Sequence, residues 1–196
     1  MIAIIDYKAG NLASVSNALK KLGAEFIITS DIPTLEKADG IIFPGVGHAK
    51  SAMEALKEKQ LDTWLPTAQN PVLGVCLGMQ LLFSHSEEGD TSCLNILPGN
   101  LLRFEDTHEK VPHMGWNVFD EVEKHPLLSG LEKESWFYYV HSFYVPVTDA
   151  TLATCSYAGV SFSSVVGYKN FMGVQFHPEK SGETGEKLLL NFLKIL

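Results

Sequence analysis

Cys76 is the residue whose type and surroundings most directly suggest chemistry. It lies in the segment GVCLG, between Gly74 and Gly78, where an apolar strand pattern changes to a helical one. This spacing matches the nucleophile elbow G-x-S-x-G, with a thiol in place of the hydroxyl. Glycine is needed two residues to either side because the turn brings the flanking backbone segments close together. We predict a strained Cys76 at a strand end, where the N–H groups of the next helix favour its thiolate form. A small buried cysteine in a Gly-rich turn is the alternative.

His177 is a candidate for the base that such a thiol needs. It follows the apolar segment FMGVQF and opens the sequence HPEK, in which Pro178 stops the strand. Residues two apart in an extended chain point to the same side, so Glu179 can reach the far ring nitrogen of His177. Alone, His177 also fits a strand-end histidine bonded to backbone, but the two motifs together indicate a Cys-His-Glu triad. Four other histidines lie in polar or turn-like stretches and are predicted to be solvated, namely His85, His108, His113 and His125.

A thiol nucleophile also needs backbone donors for the oxyanion that forms during attack. The N–H of Leu77 is one candidate, because it opens the predicted helix. The segment FPGVG follows another predicted strand, and its glycines and proline allow a path in which a second N–H faces Cys76. An ordinary strand-to-helix turn would use the same residue types.

The elements around these residues predict an α/β fold. In the first half, the strands IAIID, EFIIT, GIIFPG and PVLGVC alternate with helical patterns, including HAKSAMEALKEK and GMQLLFSHS. This alternation implies a mostly parallel central sheet flanked by helices, which places Cys76 at the carboxyl edge where ligands bind. The second half is rich in aromatic and β-branched residues and predicts added strands, some antiparallel, before a final helix in GETGEKLLLNFLKIL. We expect a single domain over residues 1–196.

The composition argues against several classes of partner and cofactor. The formal net charge is -8, and Arg103 is the only arginine, so neither nucleic acid nor a highly phosphorylated substrate is an expected ligand of this chain. The three cysteines form no CxxC pair, which argues against disulfides and a zinc site, and we expect no metal and no cofactor. No apolar run is long enough for a bilayer, and MIAIIDYKAG fits a buried strand rather than a signal peptide. We therefore expect a cytoplasmic protein without a membrane partner.

Taken together, the motifs resemble those of the class I (triad) glutamine amidotransferases, which share a flavodoxin-like fold. The segments DYKAGNLASV, PGVG, GVCLGMQLLF, SEEG, VPHMGWN, YVHSFY and GVQFHPEKSG occur in the family's order along essentially the whole chain. Within this superfamily, PHMGWN and VHSFY are similar to the glutaminase subunits of imidazole glycerol phosphate synthases, which act in histidine biosynthesis.

The resemblance implies a role for each candidate residue. Cys76 would attack the carboxamide of glutamine, His177 would act as base and then as acid for departing ammonia, and Glu179 would orient His177. The γ-glutamyl thioester would then be hydrolysed to glutamate. The remaining implied site residues are Leu77 and either Val46 or Gly47 as oxyanion donors, and Gln80, Ser142 and Phe143 around the amino-acid end of glutamine.

The resemblance also implies a partner subunit. Ammonia would pass into a (β/α)8 cyclase that forms imidazole glycerol phosphate and an aminoimidazole carboxamide ribotide, the two chains making a heterodimer. The implied interface residues are Asn11, Pro112, Met114, Trp116, Tyr138 and Lys180. Two positions depart from the family's usual pattern, Lys8 in place of glycine and His48-Ala49 after the PGVG segment.

Three other functions remain open at this point. The chain could be an amidotransferase subunit that serves another pathway, such as anthranilate, aminodeoxychorismate or vitamin B6 synthesis. It could be a stand-alone cysteine hydrolase, such as a γ-glutamyl peptidase, which would be fully active alone. It could also be a non-enzymatic interaction subunit, which would show no thiol-dependent turnover with any partner.

Overall fold

A central seven-stranded sheet organises the chain. The computed structural model describes residues 1–8, 10–105 and 109–196, so the prediction for His108 lies outside the described residues. The strands are β1 (Ile2–Ile5), β2 (Phe26–Thr29), β3 (Gly40–Gly45), β4 (Val72–Cys76), β5 (His85–Ser86), β6 (Thr91–Ser92), β7 (Asn100–Arg103), β8 (His113–Asn117), β9 (Phe137–His141), β10 (Phe143–Tyr144), β11 (Thr151–Tyr157), β12 (Val160–Tyr168) and β13 (Phe171–Val174). The α-helices are α1 (Leu12–Lys21), α2 (Ile32–Glu36), α3 (Ala49–Glu58), α4 (Leu61–Trp64), α5 (Leu77–Gln80) and α6 (Gly182–Ile195). Short 3-10 turns span Leu65–Thr67, Pro126–Leu128 and Pro178–Lys180.

The predicted α/β class is confirmed by the topology of this sheet. Its strand order is β11-β12-β13-β4-β3-β1-β2. The five strands from β13 to β2 pair in parallel, and β11 and β12 add antiparallel pairings at one edge. The antiparallel strands come from the second half of the chain, as the aromatic and β-branched composition predicted.

The central strands are buried on both faces because helices cover the sheet on each side. Successive residues of β1 alternate between two apolar clusters, with Ile4 in one and Ile5 in the other. The first cluster is covered by α1 and α6, and the second by α3 and α4. The sheet therefore has a packed layer on each face, and its carboxyl edge is left for the site.

One predicted helix is much shorter in the structure. The helix predicted over GMQLLFSHS ends at Gln80, and His85–Ser86 instead forms β5 of a second sheet with the order β10-β7-β5-β6. The reason is that the N–H groups of Leu94 and Ile96 bond to the carbonyls of Leu81 and Leu82 at 3.0 and 2.8 Å. Those carbonyls are therefore paired outside a helix.

Candidate active site

Cys76 adopts the strained turn that its spacing predicts. Its backbone has φ +53° and ψ -112°, a region that non-glycine residues rarely occupy. A Cβ atom at Gly74 would lie 2.8 Å from the Cα of Met79, and one at Gly78 would lie 1.9 Å from the carbonyl oxygen of Phe43. Both glycines of the motif are therefore required by close backbone approach, and β4 passes directly into α5 at the sulfur.

His177 and Glu179 form a buried hydrogen-bonded pair beside Cys76. The Nδ1 atom of His177 lies 2.9 Å from Oε1 of Glu179, with the two side chains 5% and 2% exposed. The prediction assumed an extended chain, whereas Glu179 lies in the 3-10 turn Pro178–Lys180. The predicted contact forms nevertheless, because the hydroxyl of Ser181 donates to the carbonyl of His177 at 2.6 Å and closes the turn. The other carboxylate oxygen, Oε2, is buried without a hydrogen-bond partner among the described residues.

The surroundings of His177 favour its charged form. Burial lowers the pKa of the imidazole, but hydrogen bonds to Cys76 and Glu179, and the charges of both, raise it to about 10. His177 therefore holds a proton near neutral pH, between a sulfur on one side and a carboxylate on the other. Such an arrangement is able to give a proton to a leaving group and to take one from water.

A cavity of about 290 Å³ opens in front of Cys76 and His177. It is lined by residues of the PGVG turn, the elbow and the segment after β9, namely Val46, Gly47, Cys76, Leu77, Gln80, Glu88, Pro112, Val140, His141, Ser142, Phe143, His177 and Lys180. All the predicted oxyanion and substrate-binding residues are among them. Glu179 stands behind His177, and four predicted interface residues lie elsewhere, namely Asn11, Met114, Trp116 and Tyr138.

The PGVG turn is positioned by β3 and by a buried tyrosine. Gly45 pairs with Cys76 across β3 and β4, so the turn begins at the level of the sulfur. The hydroxyl of Tyr7 donates to the carbonyl oxygen of Pro44 at 2.9 Å. Burial raises the pKa of Tyr7 far above its ordinary value, so this hydroxyl keeps its proton. Gly47 has φ +100°, a conformation for which glycine is suited.

Two residues beside the site were not among the predicted site residues, Glu88 on the cavity wall and Gln175 next to the sulfur of Cys76. Glu88, in the SEEG segment, accepts a hydrogen bond from the N–H of Ala49 at 2.7 Å and brings a carboxylate to the cavity wall. Gln175 is fully buried and its amide lies 3.8 Å from the sulfur of Cys76. The signal for Gln175 was its position two residues before His177, because alternate residues of an extended segment share a side.

Gln80 has a structural contact besides its place in the cavity wall. Its side-chain amide donates to the carbonyl of Phe143 and to the side-chain oxygen of Gln175, both at 2.9 Å. Gln80 therefore joins the elbow helix to the segment after β9 and to the residues between β13 and His177.

The prediction that His113 is solvated is wrong. Its side chain is buried and its ring stacks between those of Tyr139 and Tyr157, with centroid distances of 4.9 and 4.0 Å. The pairing of β8 with β9 sets the alternation, so that His113 faces inward. His85 and His125 are half-buried rather than fully solvated.

The predicted interface residues occupy three different settings. Met114 and Trp116 project from the outer face of β8 and are 62% and 52% exposed, and Trp116 contacts the ring of Tyr138 edge-on. The Nζ of Lys180 lies 5.9 Å from the same Tyr138 ring. Pro112 forms part of the cavity wall. Asn11 caps α1 by accepting from the N–H of Ser14, which accounts for this residue within the chain itself.

The Lys8 departure coincides with unusual backbone. Lys8 has φ +67°, in the left-handed region where glycine is the least costly residue. His48 caps α3 through a hydrogen bond from the N–H of Lys50 to its ring Nδ1. His48 is thus accommodated at the start of α3, directly after Gly47 of the cavity wall.

Neither a metal site nor a membrane span is formed by residues 1–8, 10–105 and 109–196. No group of three or more His, Cys, Asp or Glu side chains in these residues is placed to hold a metal ion. No helix in the same ranges has the length and apolar character needed to cross a membrane.

Comparison with known proteins adds independent information. Residues 3–196 match the family model described as glutamine amidotransferase class-I. The protein named imidazole glycerol phosphate synthase subunit HisH from Bacteroides thetaiotaomicron is 48% identical over 196 residues, covering 99% of each chain. The protein of the same name from Idiomarina loihiensis is 46% identical over 194 residues, covering 99% of this chain and 97% of its own.

Solved structures share the architecture at low sequence identity. A putative GMP synthase component from Thermoplasma acidophilum matches with a TM-score of 0.76 and 18% identity, covering 99% of this chain and 92% of that chain. A protein described as a glutamine amidotransferase matches with a TM-score of 0.72 and 18% identity, covering 100% and 98%. At these identities the likeness concerns the fold alone.

Proposed function

Since this chain belongs to the class I glutamine amidotransferase family, we propose that it hydrolyses L-glutamine to L-glutamate and ammonia as the glutaminase subunit of an imidazole glycerol phosphate synthase. The observation that carries the proposal is the strained Cys76 facing the same cavity as His177, whose far nitrogen is held by Glu179. The choice of synthase is supported by relatives of 46–48% identity that carry this name over nearly their whole length. The whole chain acts as a single domain in this proposal.

The proposed reaction begins with attack of the Cys76 sulfur on the carboxamide carbon of glutamine. The raised pKa of His177 means that it carries the proton that the leaving nitrogen needs, so ammonia departs as a γ-glutamyl thioester forms. Neutral His177 then takes a proton from water, which attacks the thioester carbonyl. Glutamate leaves and the sulfur and the protonated imidazole are restored. Glu179 stabilises the imidazolium and fixes the ring orientation in both steps.

The cavity wall supplies the proposed binding contacts. The backbone N–H of Leu77, with that of Val46 or Gly47, stabilises the oxyanion. Gln80 and the Ser142–Phe143 backbone hold the amino-acid end of glutamine. Glu88 also lines the cavity, and its carboxylate has the charge that complements the ammonium group of glutamine. The sequence did not predict this contact.

The proposed partner is a (β/α)8 cyclase subunit that forms a heterodimer with this chain and receives the ammonia. The exposed Met114 and Trp116, with Tyr138 and Lys180 beside them, are proposed as part of the interface, together with Pro112. We assign the phosphorylated nucleotide to the partner because this chain has one arginine. The three free thiols fit the reducing cytoplasm.

The test is a glutaminase assay of the chain alone and with a cyclase partner plus its nucleotide ligand. We expect low activity alone and at least a roughly 10-fold rise in the complex, which corresponds to about 1.4 kcal/mol of barrier. Equal activity in both conditions would favour the stand-alone hydrolase. Thiol-dependent activation by a different acceptor protein, with none by the cyclase, would favour another amidotransferase. Absence of turnover with every partner would favour a non-enzymatic role.

A further inference from the structure

Two buried histidines, His113 and His141, are hydrogen-bonded to each other beside the cavity, and His141 forms part of its wall. The Nδ1 of His113 is 3.0 Å from the Nε2 of His141, and the Nδ1 of His141 is 2.8 Å from the carbonyl oxygen of Phe143. At the far end, the side-chain amide of Asn117 lies 3.4 Å from the Nε2 of His113. Both histidines are almost fully buried, with 3% and 5% of their surface exposed. The proposed glutaminase reaction uses neither of them.

The protonation of this pair is fixed by its last acceptor. A carbonyl oxygen only accepts, so the Nδ1 of His141 carries a proton. Burial lowers the pKa of His141 to about 3 and that of His113 to about 4, so both rings are neutral near pH 7. The Nε2 of His141 must therefore accept, which makes the Nδ1 of His113 its donor. The Nε2 of His113 in turn accepts from Asn117, and every donor in the series points towards Phe143.

The series ends on backbone that lines the glutamine cavity. The carbonyl oxygen of Phe143 accepts from His141 and also from Gln80 at 2.9 Å, which fixes the peptide plane that follows Phe143. The carbonyl of Ser142 accepts from the N–H of Phe104 at 3.0 Å, which fixes the preceding plane. Both Ser142 and Phe143 face the cavity, whereas His113 does not line it.

We propose that His113 and His141 are positioning residues for glutamine binding. The two histidines, through their Nδ1–H donors, hold the Ser142–Phe143 backbone in the conformation that binds glutamine. This inference rests on the glutaminase function proposed above. Neither ring reacts, and no proton is transferred through the pair. The consequence of losing the donor series is a loss of substrate affinity with little change in turnover at saturating glutamine.

His113 offers the cleaner test, because it does not line the cavity and its ring nitrogen bonds to His141, the residue that contacts the Phe143 carbonyl. His113→Phe keeps a flat ring between Tyr139 and Tyr157 but removes the donor. The matched control, His113→Asn, places an amide N–H close to the original Nδ1 position. In the complex with the cyclase, we expect the Phe variant to raise KM for glutamine about 10-fold, the effect of losing one buried hydrogen bond. Its kcat should stay within about 3-fold, and the Asn variant should recover most of the KM.

Two kinetic outcomes would overturn the positioning role. One is a folded His113→Phe variant with the wild-type KM, and the other is equal impairment of the Phe and Asn variants. Failure of the proposed function itself would look different, because the wild-type complex would then lack glutaminase activity before any histidine was changed.

A spectroscopic measurement on the wild-type chain decides the matter if the Phe variant does not fold. In the 15N spectrum of histidine-labelled protein at neutral pH, His113 and His141 should both be Nδ1–H tautomers. Their resonances are assigned by comparison with the spectra of His113→Asn and His141→Asn. His48 and His125 serve as references, because their Nδ1 atoms accept from the N–H groups of Lys50 and Leu127 and they must be Nε2–H tautomers. An Nε2–H tautomer at His113 or His141 would refute the proposed donor series.

Discussion

The three thiols of this chain should differ sharply in reactivity towards an electrophile shaped like glutamine. Cys76 faces the cavity, Cys93 is half-buried and Cys155 is buried. Burial, with the charge of Glu88, raises the pKa of Cys93 from 9.0 to about 11. Burial is also the main cause that raises the pKa of Cys155, from 9.0 to about 12. The attacking species is the thiolate, so both shifts suppress reaction.

The size of the suppression follows from these shifts. Increases of two and three pKa units reduce the thiolate fraction at pH 8 by about 100-fold and 1,000-fold, relative to an ordinary cysteine. A more basic thiolate is intrinsically more nucleophilic, with a Brønsted coefficient of about 0.45. This raises the reactivity of each thiolate by roughly 8-fold for Cys93 and 22-fold for Cys155, and so offsets part of the reduction. Cys93 should therefore react about 12-fold more slowly than an ordinary cysteine and Cys155 about 45-fold more slowly. Restricted access adds to both factors.

The assay treats the folded complex with a glutamine analogue that carries an electrophile in place of the amide, followed by peptide mass spectrometry. We expect modification of Cys76 alone, protection by excess glutamine and faster labelling when the partner and its ligand are present. Urea-denatured chain should be modified at all three cysteines with an unspecific alkylating reagent, which controls for peptide detection. Dominant modification of Cys93 or Cys155 in the folded complex, or labelling of Cys76 that glutamine does not slow, would refute the reasoning.

Four further results are expected. Cys76→Ala should abolish glutamine-dependent synthesis but leave synthesis from ammonium salts intact in the complex, and loss of both with assembly preserved would contradict the division of labour. Glu179→Gln should lower kcat at least about 10-fold. The loss should not exceed that of His177→Ala, which removes the imidazole itself, because triad members act as a unit. Wild-type turnover of Glu179→Gln at saturating glutamine would exclude Glu179 from the mechanism. Tyr7→Phe leaves a buried carbonyl of the PGVG turn unpaired and should reduce the free energy of unfolding in urea by about 1–3 kcal/mol, whereas an unchanged value would mean that the hydrogen bond contributes nothing. Histidines of the unfolded chain take up protons below about pH 6.5, whereas His113 and His141 stay neutral in the folded chain down to about pH 4 and 3, so stability should fall as the pH drops through this window. Near pH 5, the free energy of unfolding should depend on pH more steeply in wild type than in His113→Asn, by about 1.4 kcal/mol per pH unit. Equal slopes in the two proteins would show that His113 is protonated in the folded chain.

Local spacing was enough to predict the elbow. A Cβ is excluded at Gly74 by the backbone of Met79 and at Gly78 by the carbonyl of Phe43 in β3, and the motif that marks both positions occupies only five consecutive residues. The parallel sheet was predictable for a related reason, since each central strand is buried on both faces and its sequence is therefore continuously apolar.

What the sequence left hidden depends on contacts between distant segments. His113 is buried because Tyr139 and Tyr157, from two other strands, enclose its ring. The helix predicted after Gln80 stops because the segment from Leu94 onwards pairs with its carbonyls. Glu88 reaches the cavity through its bond to Ala49, 39 residues away in the chain. None of these contacts has a signature in local periodicity.

The close approach of the PGVG turn to the elbow has an evolutionary consequence. A Cβ at Gly45 would lie 2.5 Å from the backbone nitrogen of Gly78, while a Cβ at Gly78 would strike the carbonyl of Phe43 at 1.9 Å. A side chain at either position would therefore strike backbone of the other segment, and no flexible side chain can yield at Gly78. Substitution there requires the main chain of β3 to move, which would displace Gly45 from its pairing with Cys76. Related sequences can vary at exposed helix positions and at the edge of the sheet, but the PGVG and GVCLG motifs must be retained together. A lineage that loses one glycine has no single further mutation at the other that restores the fit.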